Sequence, residues 1–226
     1  MSYSGQLYFP CKQSQFTLVG GTAHSTASYT DTQFGVNISK ATNGNNNEIA
    51  TMLVSAPSTP YSVIAKVVWN GMNQNGTTMF GDPGPAESAC GMCFTNGTAT
   101  SSKLKVLRWG NLNGALTVNV NGGGTAPLNL FGFAAADQYS NYTTEVGNGS
   151  GEQHCPPTMG MGFVWMKLRD DGTNCKYYLS CDGMSWQQIY SEARTTYFTA
   201  TNVGVYVNPY GSNANMVCQS FQVVNA

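Results

Sequence analysis

The segment Ser180-Cys181-Asp182-Gly183-Met184-Ser185-Trp186 sets a hydroxyl, a carboxylate and an indole close together in sequence. Either they form a reactive centre or they make a corner. Ser and Asp side chains bond readily to the backbone N–H groups of a turn, and that role accounts for Ser180 and Asp182 without any chemistry. Cys90-Gly91-Met92-Cys93 has the spacing of a redox dithiol. Such a pair needs a helix N-terminus to lower its thiol pKa, whereas this one lies in a strand pattern that sends positions i and i+3 to opposite faces. We read these cysteines as small buried apolar residues. His24 and His154 stand far apart without metal-ligand spacing, and no nucleophile-elbow pattern accompanies any serine. Asp170-Asp171-Gly172-Thr173-Asn174 is rich in oxygen but lacks the alternating ligands and terminal Glu of a calcium loop. Asn121–Thr125, "NGGGT", has no following Lys-Ser/Thr and opens no helix, so it is not a phosphate loop. No catalytic residue, metal ligand or cofactor is assigned.

The elements that position these groups read as strands. Short runs rich in Val, Ile, Leu, Tyr and Phe recur at Ile49–Ser55, Tyr61–Trp69, Ala89–Thr95, Leu104–Trp109, Leu116–Val120, Phe163–Arg169, Cys175–Ser180, Val203–Asn208 and Met216–Val224. Gly, Asn and Pro separate them, and no helical period persists beyond two turns. This pattern predicts an antiparallel sandwich or barrel. In "FVWMKLRDDGTNCKYYLS", Asp171-Gly172 fits a two-residue hairpin turn. That register pairs Leu168 with Cys175 and Met166 with Tyr177. Met166, Leu168, Cys175, Tyr177 and Leu179 then face the core. Trp165, Lys167, Arg169, Asn174, Lys176 and Tyr178 face outward. Asp182-Gly183 makes the next corner and returns Trp186 beside Leu179, with its indole largely buried.

On this outer face Trp165 and Tyr178 are expected as cross-strand neighbours flanked by Arg169, Asn174 and Lys176. An aromatic platform ringed by hydrogen-bonding groups suits a pyranose, whose C–H face is apolar and whose edges are polar. The competing reading is that the same face packs beneath the irregular stretch Asn141–Gly162 or against a neighbouring subunit.

Composition narrows the partners. Charged residues make up 9% of the 226 and the formal net charge is −1, so no strong field steers nucleic acid or an acidic membrane. No run approaches the ~18 apolar residues of a membrane span. The start, "MSYSGQLYFPCK", lacks the basic and apolar regions of a signal peptide, and seven cysteines is an odd count. Both point to reduced thiols in a protein made in the host cytoplasm. Triplets such as Asn96-Gly97-Thr98 are read as turns rather than glycosylation sites. Residues 1–15 are expected to form an N-terminal docking arm, and 16–226 a single β-sandwich domain.

The order of strand, Asp-Gly turn, aromatic strand and Ser-x-Asp-Gly-x-x-Trp in "VWMKLRDDGTNCKYYLSCDGMSW" resembles the final meander of concanavalin A-like lectin/glucanase sandwiches. "NVGVYVN" and "VCQSFQVVN" follow as its closing strands. "APSTPYSVIAKVVWN" and "CGMCFTNGTATSSKLKVLRWG" are similar to strand pairs of such sandwiches in tailed-phage virion proteins. The resemblance spans roughly Met52 to Asn225 and implies an all-β jelly-roll sandwich. The Glu-x-Asp-x-x-Glu motif of the glucanase branch is missing, and no two acidic residues are separated by one position, so hydrolase activity does not carry over. Ser180–Trp186 is one residue short of a sialidase Asp-box, occurs once, and is accompanied by only three arginines.

The expectation drawn from this is a non-enzymatic accessory protein on a phage virion surface, in the capsid or the tail. It would associate with itself and other virion proteins, and touch host surface glycans. The alternative is a free carbohydrate-binding, lectin-like module using Trp165 and Tyr178. A glycoside-cleaving enzyme ranks third, because no carboxylate pair is evident.

Overall fold

Runs of apolar residues, alternating in some segments and continuous in others, divide much of this chain into strands. The computed structural model describes residues 5–20, 27–40, 49–69, 89–98, 104–112, 115–117, 119–121, 131–136, 163–196, 198–208 and 214–225. The first strands are β1 (Gly5–Tyr8), β2 (Thr17–Val19), β3 (Ser28–Thr32), β4 (Gly35–Lys40), β5 (Ala50–Ser55) and β6 (Tyr61–Trp69). Next come β7 (Ala89–Thr95), β8 (Leu104–Leu112), β9 (Ala115–Thr117), β10 (Asn119–Asn121) and β11 (Phe131–Ala136). The last are β12 (Phe163–Asp170), β13 (Asn174–Ser180), β14 (Gln187–Ala193), β15 (Asn202–Asn208) and β16 (Ala214–Asn225).

They form two sheets. One runs β14-β13-β12-β6-β16-β4-β3, with β1 also on β16; the other runs β10-β11-β8-β7-β15-β5-β2, with β9 on β8. Among the described residues β10 and β11 pair in parallel, and the other pairings, β12 with β13 and β6 included, are antiparallel. The expected antiparallel β-sandwich is the architecture found.

Alternation decides what lies between the sheets. From the first sheet, β6 contributes Tyr61, Val63, Ala65 and Val67, β12 contributes Met166 and Leu168, and β13 contributes Cys175, Tyr177 and Leu179. They meet Cys90, Met92 and Phe94 of β7 and Val203, Val205 and Val207 of β15. Phe94 packs edge-on against Tyr177 with ring centroids 5.8 Å apart. Burying each such side chain is worth about 1.5–3 kcal/mol. A register shift between Cys218 and Ser220 inserts one residue into β16. It lets Cys218 and Phe221, three positions apart, both point inward, which regular pleating forbids.

Cys90 and Cys93 are separated as the strand period predicts. Cys90 joins the main core, while Cys93 lies in a second cluster with Ile49, Leu53, Leu104, Val106 and Tyr206. Burial raises both thiol pKa values, so neither is poised as a thiolate. Within the N-terminal segment, β1 pairs with β16 of the same chain, Gly5 opposite Val224 through Tyr8 opposite Phe221. Phe16 stands edge-on to Phe221 at 5.2 Å, and the buried Cys11 thiol lies 3.8 Å from that of Cys218.

Among the described residues one ionic contact crosses the sandwich. Lys105 of β8 reaches Glu192 of β14 at 3.3 Å, with both side chains almost wholly buried. The ammonium also donates to the Arg194 carbonyl at 3.1 Å, and the Tyr177 hydroxyl donates to Glu192 Oε1 at 2.9 Å. Burial raises the Glu192 pKa, while Lys105 and Tyr177 oppose that rise. Removing one partner strands a buried charge, so Lys105→Met is expected to lower the unfolding free energy by about 3–5 kcal/mol. Lys105→Met/Glu192→Gln is expected to recover at least half of the loss in urea denaturation. A single-variant cost below about 1 kcal/mol would show the pair to be no stronger than a surface one.

Candidate functional site

The candidate face lies on the β12–β13 hairpin, and two side-chain-capped turns fix its geometry. At the first turn Asp171 N–H donates to the Asn174 carbonyl at 3.1 Å, leaving Gly172-Thr173 as the loop. Gly172 has φ +91°, as a hairpin loop with glycine first requires. This moves the register two residues from the expected one. Asp170 is the physical reason. It remains in the strand, fully buried opposite Cys175, with Oδ2 2.7 Å from Arg194 Nε and Oδ1 accepting the Gly172 N–H at 3.0 Å. Asp171 Oδ1 accepts the N–H groups of Thr173 and Asn174 at 2.9 and 2.6 Å, and Oδ2 takes Lys176 at 2.7 Å.

A register change of two preserves the faces and replaces the partners. The predicted inner row, Met166, Leu168, Cys175, Tyr177 and Leu179, is buried throughout. On the outer face Trp165 stands opposite Ser180, Lys167 opposite Tyr178, and Arg169 opposite Lys176. The expected Trp165–Tyr178 pairing is therefore corrected: Lys167 takes the place opposite Tyr178, and Trp165 lies diagonal to it. The Lys167 ammonium lies 4.3 Å from the Tyr178 ring centroid and 4.4 Å from that of Trp186. Trp186 is half-buried on this outer side rather than packed beside Leu179. Across the neighbouring strand β6, Lys66 pairs with Trp165 and holds its ammonium 5.4 Å from that ring. Asn174 closes the turn at the far end. From Trp165 to that turn the strip runs about 20 Å at ~3.4 Å per residue.

The second turn answers the question posed by Ser180 and Asp182. Ser180 Oγ donates to Asp182 Oδ1 at 2.8 Å and accepts N–H groups from Asp182 and Gly183 at 3.2 and 2.7 Å. Asp182 Oδ1 also accepts from Met184 and Ser185 at 2.8 and 2.7 Å. The cluster is a corner. Gly183, at φ +76°, lays its backbone on Trp165, and a Cβ there would come 2.9 Å from the indole. The corner thereby backs the Trp165 ring.

Sequence reasoning missed Trp186 and Lys66 as members of this face. Outward alternation along Tyr61–Trp69 marks Lys66, but the β6–β12 pairing that brings it to Trp165 has no local signature. His24, His154 and Asn141–Gly162 lie outside the described residues. Among the described residues no three His, Cys, Asp or Glu side chains gather as a metal would need. The oxygen-rich turn does not fit calcium, since Asp171 is already committed to Lys176 and two N–H groups.

No family model matches the sequence, and no curated protein is similar enough in sequence to count as a relative. Solved structures are similar. The exoplasmic/lumenal domain of VIP36 in its Ca2+/Man3GlcNAc-bound form has a TM-score of 0.53 at 11% identity, covering 100% of this chain and 91% of that one. The chain has a lectin-like β-sandwich fold. The Ca2+/Man-bound form of VIP36 also gives a TM-score of 0.53, at 10% identity over 93% and 83% of the two chains. Peanut lectin gives 0.49 at 8% identity over 99% and 97%. The fold correspondence rests on the VIP36 structures. These matches lend no support to the virion setting expected from the sequence.

The two turn carboxylates carry a pH signature. Three hydrogen-bond donors, first the Ser185 and Met184 N–H groups and then the Ser180 hydroxyl, hold the Asp182 pKa well below the ordinary 3.8. Lys176 and then two backbone N–H groups do the same for Asp171. A depressed folded pKa stabilises the native state above the unfolded value, and that contribution is lost as pH falls below it. Thermal melts are therefore expected to fall from about pH 4 to about pH 2, and less steeply in Asp171→Asn/Asp182→Asn. Equal slopes would mean that neither turn titrates with unfolding.

Proposed function

We propose that this chain is a lectin-like module that binds an oligosaccharide without cleaving it, along the outer face of β12 and β13. One observation carries the reading: Trp165, Tyr178 and Trp186 share this face with Lys66, Lys167, Arg169 and Lys176. The half-buried indole of Trp165, backed by Gly183, offers apolar surface to the C–H face of a sugar ring. Arg169, Asn174 and Lys176 continue the strip with donors for hydroxyl groups. Its length of about 20 Å exceeds one pyranose and suits several linked rings.

The lectin-like fold is consistent with this role, and the VIP36 domain is bound to Man3GlcNAc in one of the similar structures and to Man in the other. Binding without cleavage is favoured by where the described carboxylates stand. Asp31 of β3 accepts the Gln13 N–H, Asp171 and Asp182 are tied into turns, and Asp170 and Glu192 lie inside the sandwich, each against a cation. None of these pairs an acid with a nucleophile across an open strip.

Glycan-array screening followed by titration of the best hit is the test. Trp165→Ala and Tyr178→Ala are each expected to weaken binding about tenfold, or about 1.4 kcal/mol, with the β-sheet circular dichroism unchanged. Affinity unaltered by both variants would remove this face as the site.

A further inference from the structure

We propose that Lys167 and Arg169 form an anion-binding pair, so that the saccharide taken by this face carries a negatively charged substituent. The inference rests on the reading of this face as a glycan site and names the class of glycan. Its first support is a charge imbalance built into the register. Arg169 stands directly opposite Lys176, and Lys167 lies two residues along the same face. Like charges directly opposite in a sheet are destabilising. Lys176 is answered by Asp171 at 2.7 Å, but among the described residues neither Lys167 nor Arg169 has a carboxylate partner.

The second support is how these two cations are held. Arg169 Nε is buried and has no hydrogen-bond partner among the described residues. An unmet donor of this kind costs free energy unless something accepts from it. Lys167 is clamped between Tyr178 and Trp186, so its ammonium is fixed before any ligand arrives. Burial first, and Arg169 second, lower its pKa. An anionic group set between the two would accept from the guanidinium fork and neutralise the ammonium. Same-face neighbours two residues apart are separated by about 7 Å along a strand, a span that one substituent on a sugar ring can bridge.

The rest of the chain argues for a local anion rather than a long polyanion. Net charge is −1, so no field extends over the surface to follow a nucleic-acid backbone. Carboxylate and sulfate ester share the chemistry this pair recognises, and a pyranose bearing either one also supplies the ring for Trp165.

Biolayer interferometry on the intact chain tests the proposal, with immobilised polygalacturonate as the carboxylate probe, dextran sulfate as the sulfate probe, and dextran and mannan as neutral probes. At least one acidic polymer is expected to bind about tenfold or more tightly than the neutral ones, with affinity falling as salt rises. Lys167→Met and Arg169→Gln are each expected to cost about tenfold or more on the acidic polymer. Lys167→Arg, which keeps charge and stacking, is expected to retain most of the affinity. Lys12→Gln, beside Thr32 at the far edge of the sheet, is expected to change nothing. Which acidic probe binds identifies the group. Equal affinity for neutral and acidic polymers, with Trp165→Ala still harmful, would overturn the anion pair and leave the glycan reading standing. No binding to any saccharide would overturn both. Duplex DNA binding as tightly as the acidic polymer would overturn it in favour of a generic cationic surface.

Discussion

The structure depends on one constraint: the inner row of the β12–β13 ribbon must be dry. Met166, Leu168, Cys175 and Tyr177 are all but inaccessible to water, and Leu179 is nearly so. Successive strand side chains point to opposite faces, so burying this row fixes every residue of the outer row at once. Trp165, Lys167, Arg169, Lys176 and Tyr178 are held outward by the packing of their neighbours. A slip of one residue would send the lysines and arginine into the core and expose the leucines. That penalty far exceeds what the outer contacts contribute, so the outer face is the dependent partner.

A second set of interactions locates the ribbon against the opposite sheet. Apolar packing is non-directional and tolerates sliding. The contact of Lys105 with Glu192, which also accepts the Tyr177 hydroxyl, does not, because a displacement that separated the pair would leave charges buried and unpaired. Asp170 and Arg194 fix a different alignment, that of the hairpin end within its own sheet. These polar groups select one alignment among many apolar ones.

The readable and unreadable parts of the sequence divide along the same physical line. Several strands with a continuous or alternating apolar face were legible, and Tyr61–Trp69 and Ala89–Thr95 end where the sequence pattern places them, whereas β4 and β11 were not read and the expected strand Leu116–Val120 is divided between β9 and β10. Polar strands were not: β3 (SYTDT) and β14 (QQIYSEA) have little apolar signal and take their strand form from their neighbours. The hairpin shows the distinction most finely. Its faces were legible because alternation is local, and its register was not, because Asp170 is held by Arg194, 24 positions away in the chain. Trp186 was misplaced for a related reason. An indole near the end of a strand is ordinarily core, yet here Lys167 supplies a cationic partner on the outside. The corner at Ser180–Ser185 was legible, since each of its hydrogen bonds spans three residues or fewer.

The register change also alters what the outer face can be. With Trp165 beside Tyr178 it would present one broad aromatic plate, sufficient for a neutral sugar and indifferent to charge. With Lys167 rather than Trp165 opposite Tyr178, the two aromatics are diagonal neighbours and each is paired with an ammonium, Trp165 with Lys66 and Tyr178 with Lys167. A cation held over a ring draws on the ring's negative face and at the same time presents its remaining N–H donors to whatever arrives. Such a surface discriminates by charge as well as by shape. On the proposed reading it would grip a ring through Trp165 at one end and an acceptor through Lys167 and Arg169 farther along. The arrangement of this face thus follows from where a single turn places its glycine.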